Sequence, residues 1–142
     1  MTAPTNEFTD AYSTAFDPAG VESIRERIAA AVAGIEIPGG HLDGQPNEPV
    51  TIAMWAAWPI WTGTEWITRC GLEHTWHVIV ILPPGDARTW NPAADRLLNP
   101  IRDALEAQLG HVTRAEPVTV AAGDASTVMP ALRFHLTTPT AT

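Results

Sequence analysis

The first regular pattern along the chain is helical. Val21, Ile24, Ile28, Val32 and Ile35 step by three or four residues, while Glu22, Arg25 and Glu26 fall elsewhere on the same surface. This spacing predicts an amphipathic helix over about 19–35 with one face on a core. Asp17 offers a capping oxygen and Pro18 suits a first helical turn. Residues 38–49, with Gly39, Gly40, Gly44 and Pro46, read as a loop. The period then changes to two. An extended segment is expected over 50–58, a turn or bulge around Pro59 and Gly63, and a second extended piece over 65–71. The clearest strand covers 75–82. Trp76, Val78, Val80 and Leu82 mark one face and His77, Ile79 and Ile81 the other, so this strand should be central.

Pro83, Pro84, Gly85 and Asp86 stop that strand. A second helix is expected over 91–109, with Leu97, Leu98, Ile101, Ala104, Leu105 and Leu109 as its apolar stripe. Pro100 falls inside the stripe and predicts a kink or restart with Asn99 as a fresh cap, and Gly110 is placed to end the helix. Segments 114–122 and 128–137 flank Gly123-Asp124 as a β-hairpin. The order helix, strand, strand, helix, strand, strand favours an α+β domain, a mostly antiparallel sheet of about four strands with two helices packed on it. The expected organisation is a polar N-terminal arm over 1–18, a single domain over 19–138 and a short tail over 139–142. In the arm, Phe8, Tyr12 and Phe16 are spaced four apart and would share one face of a short helix. The arm reads either as a frayed terminus or as a segment that docks its aromatic residues on a neighbouring subunit.

Composition narrows the function. The chain has 142 residues and a formal charge of −8, and all eight basic residues are arginine. An acidic domain lacks the cationic surface that binds phosphate by counterion release, which argues against nucleic-acid gripping. No apolar run approaches the ~20 residues of a membrane span, and neither a membrane partner nor a secretory signal is expected. The single cysteine, Cys70, cannot form an intrachain disulfide, and beside Arg69 it reads as an inert thiol for lack of an acid–base partner.

Catalytic and metal chemistry find little support. His74 and His77 invite a metal reading with His41, His111 or His135, but residues three apart on a strand point to opposite faces. Glu65, Glu73, Asp86 and Asp95 read as solvated carboxylates, and no phosphate loop or nucleophile elbow is present. No catalytic residue, metal or cofactor is expected. The alternative of a small enzyme or ligand-binding domain would centre on Arg69, Glu73 and His74. Tryptophan is the unusual feature: Trp55, Trp58, Trp61, Trp66 and Trp76 crowd into one stretch. Core packing is one reading and a protein–protein surface the other, because Trp supplies large contact area at interface hot spots.

Arg69-Cys70-Gly71, then Thr75 to Leu82, then Asp86-Ala87-Arg88, followed by a long helix and a closing hairpin, resembles the tail terminator proteins of long-tailed phages, particularly those infecting actinobacteria. With the first helix, the likeness in pattern and element order spans about 19–138. The longer polar arm, the density of tryptophan and Pro100 depart from that pattern. The resemblance implies a non-enzymatic virion protein, made in the host cytoplasm, that forms a ring of six copies at the head-proximal end of the tail tube. It would end tube polymerisation, contact the tail tube protein and the head connector or stopper, and let DNA pass through its lumen without specific binding. An acidic balance suits such a channel, since like charge repels phosphate. On this reading the contact residues are Trp55, Trp58, Trp61 and Trp66, Asp86 and Arg88 after the central strand, and Phe8, Tyr12 and Phe16 of the arm. A neighbouring connector or stopper ring of the same neck is the alternative.

Overall fold

The computed structural model describes residues 20–69, 71–121 and 127–141. The elements are α1 (Val21–Ala33), β1 (Glu36–Ile37), β2 (Gly40–His41), β3 (Asp43–Gly44), β4 (Ala56–Thr68), β5 (Gly71–Ile81), α2 (Ala87–Gln108), β6 (His111–Ala121) and β7 (Val128–Ala141). The chain adopts the expected α+β class as a single domain, with two helices on a mostly antiparallel sheet. Among the described residues seven strands form rather than about four, because the 36–44 segment contributes three two-residue strands. β1 and β2 make a small hairpin of their own, and the main sheet runs β3-β4-β5-β7-β6. Only the short β3–β4 pairing is parallel.

Both helices lie on one face of this sheet. Ile24, Ile28 and Val32 of α1 and Leu97, Ile101 and Leu105 of α2 join Ala57, Trp76, Val78, Val80, Leu132, Phe134 and Leu136 in one buried cluster. Burying side chains of this kind contributes roughly 1.5–3 kcal/mol each against exposure. The amphipathic stripes read from the sequence are therefore the stripes that meet the sheet. Two close approaches require glycine. A Cβ on Gly44 would lie 2.2 Å from the Ala29 carbonyl oxygen, so a bare backbone lets β3 touch α1. A Cβ on Gly110 would lie 1.9 Å from the Thr137 carbonyl oxygen, where the chain leaves α2 and turns into β6.

Several expectations are corrected. The first strand starts at Ala56, not at 50, because Trp55 adopts a left-handed backbone with φ 71°. Its N–H donates to the Ile81 carbonyl at 2.7 Å and its own carbonyl accepts from Asp43 N–H at 2.9 Å, which holds that conformation against its strain. The extended pieces before and after Gly63 are one long strand with an irregularity between Trp61 and Gly63, rather than two strands across a turn. The second helix begins at Ala87, with the Asp86 carboxylate accepting from Arg88 N–H at 3.0 Å, and runs continuously through Pro92 and Pro100. Pro100 is exposed, while Leu97 and Ile101 near it are anchored in the core, which holds the helix together across a residue that cannot donate a backbone hydrogen bond. Asn99 is not a cap. α1 starts at Val21 with Gly20 as N-cap and no side-chain cap; Asp17, Pro18 and the turn at Gly123-Asp124 lie outside the described residues.

Candidate assembly surface

β4 begins inside the sheet and ends as its edge. β3 pairs with it only at Ala56 and Ala57, and beyond Ala57 no described strand lies on that side. The register with β5 fixes where its side chains point. Trp61 lies opposite Trp76, and Trp66 opposite Leu72. Residues five apart on a regular strand face opposite ways. The extra residue of the bulge between Trp61 and Gly63 cancels that, so Trp61 and Trp66 share the face on which the helices pack. Their partners stand four positions apart on β5, which sets the two indoles about 13 Å apart along the strand.

The helices do not extend far enough to cover them. Trp61 is 45% exposed and Trp66 74%, with Ile60 and Ile67 also exposed beside them. The Trp61 indole is nonetheless held in place, donating to the Gly63 carbonyl at 2.9 Å and lying 3.1 Å from Thr64 Oγ1. Thr64 in turn contacts His74 Nδ1 at 2.7 Å, and Thr62 donates to Thr75 Oγ1 at 2.9 Å. The edge of the sheet therefore leaves four large apolar groups exposed on a braced backbone.

The other tryptophans serve the fold. Trp58 is 1% exposed and packs with Ala56, Ile79, Ile81 and Ala131, so it is a core residue and not a contact residue. Trp76 is equally buried on the helix side, where its indole donates to Thr138 Oγ1 at 3.0 Å and the Arg25 guanidinium lies 5.9 Å from its ring centre. Trp55 packs partly buried against the helix-side cluster. Asp86 is engaged as the cap of α2, and Arg88 is exposed in the first turn of that helix. Phe8, Tyr12 and Phe16 lie outside the described residues, as does Cys70. Ile60 and Ile67 were not among the expected contacts, although each stands next to a tryptophan that was.

The titratable groups divide between the faces. His74 is buried on the helix side, while Glu73 and His77 face the other way, so Arg69, Glu73 and His74 do not converge. Among the described residues no group of three His, Cys, Asp or Glu side chains is arranged to hold a metal ion. On the face opposite the two described helices, Glu116 accepts a hydrogen bond from His135 Nε2 and one from Arg133 Nε at 3.1 Å, with Arg114 at 3.0 Å. The hydrogen bonds from His135 and Arg133 lower its pKa to about 2. His77 stands edge-on to His135 with ring centres 4.6 Å apart, and burial followed by the nearby His135 and Arg133 charges lowers its pKa. No described helix is long and apolar enough to cross a membrane. Comparison with protein-family models, with curated proteins and with solved structures finds no match.

Proposed function

We propose that this chain is a structural ring subunit, a tail terminator of a long-tailed phage that caps the head-proximal end of the tail tube and receives the head connector. One observation carries the reading: Trp61 and Trp66 are brought to one face of an exposed edge strand, flanked by Ile60 and Ile67. A free subunit gains nothing from leaving these groups in water, whereas burial contributes roughly 1.5–3 kcal/mol for a side chain such as Ile67. An edge at one end of the sheet meets a different surface on the next copy, which is the head-to-tail contact from which closed rings form. The pattern 69–88, with the long helix and the closing hairpin, supplies the kind of ring. The net charge of −8 suits a lumen that DNA must traverse without sticking. On this reading the protein resides in the virion and performs no reaction.

Sedimentation of the double variant Trp61→Ser, Trp66→Ser tests the surface. The variant should keep the far-ultraviolet spectrum of the parent and sediment as a monomer at concentrations where the parent assembles. A variant that assembles as the parent does would remove these indoles from the interface.

A further inference from the structure

The two long edges of the main sheet differ in what their backbone offers. Along a strand, successive residues turn their N–H and C=O to opposite sides, toward one neighbouring strand or the other. Leu82 N–H donates to the Pro130 carbonyl at 2.9 Å and Trp55 N–H to the Ile81 carbonyl at 2.7 Å. Even-numbered residues of β5 and β7 therefore turn toward each other, odd-numbered β5 residues toward β4, and odd-numbered β7 residues toward β6. On β4, Thr64 and Trp66 stand opposite His74 and Leu72, so their backbone groups turn outward. No described strand pairs with them there, and no proline falls between Ile60 and Thr68.

The β6 side is closed. Val112, Ala115, Pro117, Thr119 and Ala121 stand opposite even-numbered β7 residues and turn outward. Val112 N–H is taken by the Glu106 carboxylate at 3.0 Å, the ladder is irregular between Val112 and Arg114, and Pro117 has no N–H to give. Where β7 runs past the start of β6, its next outward position after Thr137 is again a proline, Pro139. Both prolines are exposed. Thr119 and Ala121 remain as the longest run of outward donors on β6. This closure matters because the pairings β4–β5, β5–β7 and β7–β6 are all antiparallel, so β4 and β6 run in opposite directions. Two copies side by side in one orientation would bring β4 against β6 as an antiparallel pair, a contact that can repeat without limit.

We propose that Pro117 and Pro139 bar the β6 side of the sheet to the open β4 edge of a second copy, so that copies meet through the side chains of β4 and do not zip into one growing sheet. The barrier itself needs only the single sheet, and its consequence for a ring rests on the function proposed above. The test compares the full-length parent, the variant Pro117→Thr, Pro139→Thr, and the same variant carrying Thr119→Pro, which restores a proline at another outward position. Each is matched to the parent by far-ultraviolet circular dichroism at dilution, and Pro117→Thr alone takes the place of the pair if the pair alters the spectrum. Sedimentation velocity and thioflavin T fluorescence are then read over a concentration series. The expected result is growth without an upper size and a rise in dye fluorescence for the proline-free variant, with Thr119→Pro returning the parent's size distribution. Hydrogen exchange of the grown material should show new protection at the Thr64 and Trp66 amides. A proline-free variant with the parent's distribution and no dye response overturns the proposal. So does growth that Thr119→Pro leaves unchanged, or growth without protection at Thr64 and Trp66. A parent that stays monomeric counts against the ring alone, since the proline-free variant should still grow.

Discussion

Trp58 and Trp66 lie eight residues apart on one strand, and the structure gives them opposite roles that a denaturation experiment separates. Trp58 is 1% exposed against Ile79, Ile81, Ala56 and Ala131, and Trp66 is 74% exposed. Trp58→Ala removes a double ring from a packed cluster and should cost about 3–5 kcal/mol in lost burial and residual cavity. A domain of this size has a total stability of roughly 5–15 kcal/mol. With a urea dependence of about 2 kcal/mol per molar, the midpoint should fall by about 2 M. Trp66→Ala should stay within about 0.5 kcal/mol, as for other surface sites. Trp58→Phe should cost much less than Trp58→Ala, because it also removes an indole N–H that has no acceptor. Urea unfolding followed by far-ultraviolet circular dichroism reads all three without depending on the indole fluorescence being altered. The measurement belongs at dilution, where subunit association does not add to apparent stability. Equal losses for Trp58→Ala and Trp66→Ala would refute the division into core and contact tryptophans.

Other expectations concern single contacts. Gly110→Ala forces a Cβ to 1.9 Å from the Thr137 carbonyl oxygen, a backbone atom that cannot swing aside, and should lower the thermal midpoint by the equivalent of at least about 1–3 kcal/mol. Thr138→Val strands the buried Trp76 indole N–H and should cost about 1–3 kcal/mol, whereas Thr138→Ser should recover most of it in the same melt. His77 has its pKa lowered, so the folded chain binds fewer protons than the unfolded one as pH falls through about 6.5, and stability should drop on acidification across that range. His77→Gln should flatten that part of the curve. Glu116, lowered to about 2, adds a second loss between the ordinary carboxylate range and pH 2 that Glu116→Gln should remove.

The sequence made the helix stripes legible because Ile24, Ile28, Val32, Leu97, Ile101 and Leu105 repeat at the helical period and all meet the sheet. The β6–β7 hairpin was legible for the same kind of reason, as two alternating runs. What was hidden depends on single backbone events. Parity counting from Trp55 puts Trp61 on its face, but Trp55 is not in the strand, and the bulge after Trp61 then reverses the alternation for Trp66. No periodicity reports a bulge position, so which tryptophans share a face could not be counted out. Pro100 misled because a local rule predicted a break, while its solvent-facing position and its apolar neighbours sustain the helix. Burial of Trp58 was hidden too, since the cluster it joins lies on the face that neither described helix covers.

The central claim is that the chain closes into a ring through the exposed edge of β4. Native mass spectrometry over a concentration series, run on the parent and on the Trp61→Ser, Trp66→Ser variant, tests it most directly. The account predicts a closed oligomer near six copies for the parent, with few smaller species once it forms, and a monomer for the variant. A stable two-fold dimer, unchanged in the variant, would contradict it.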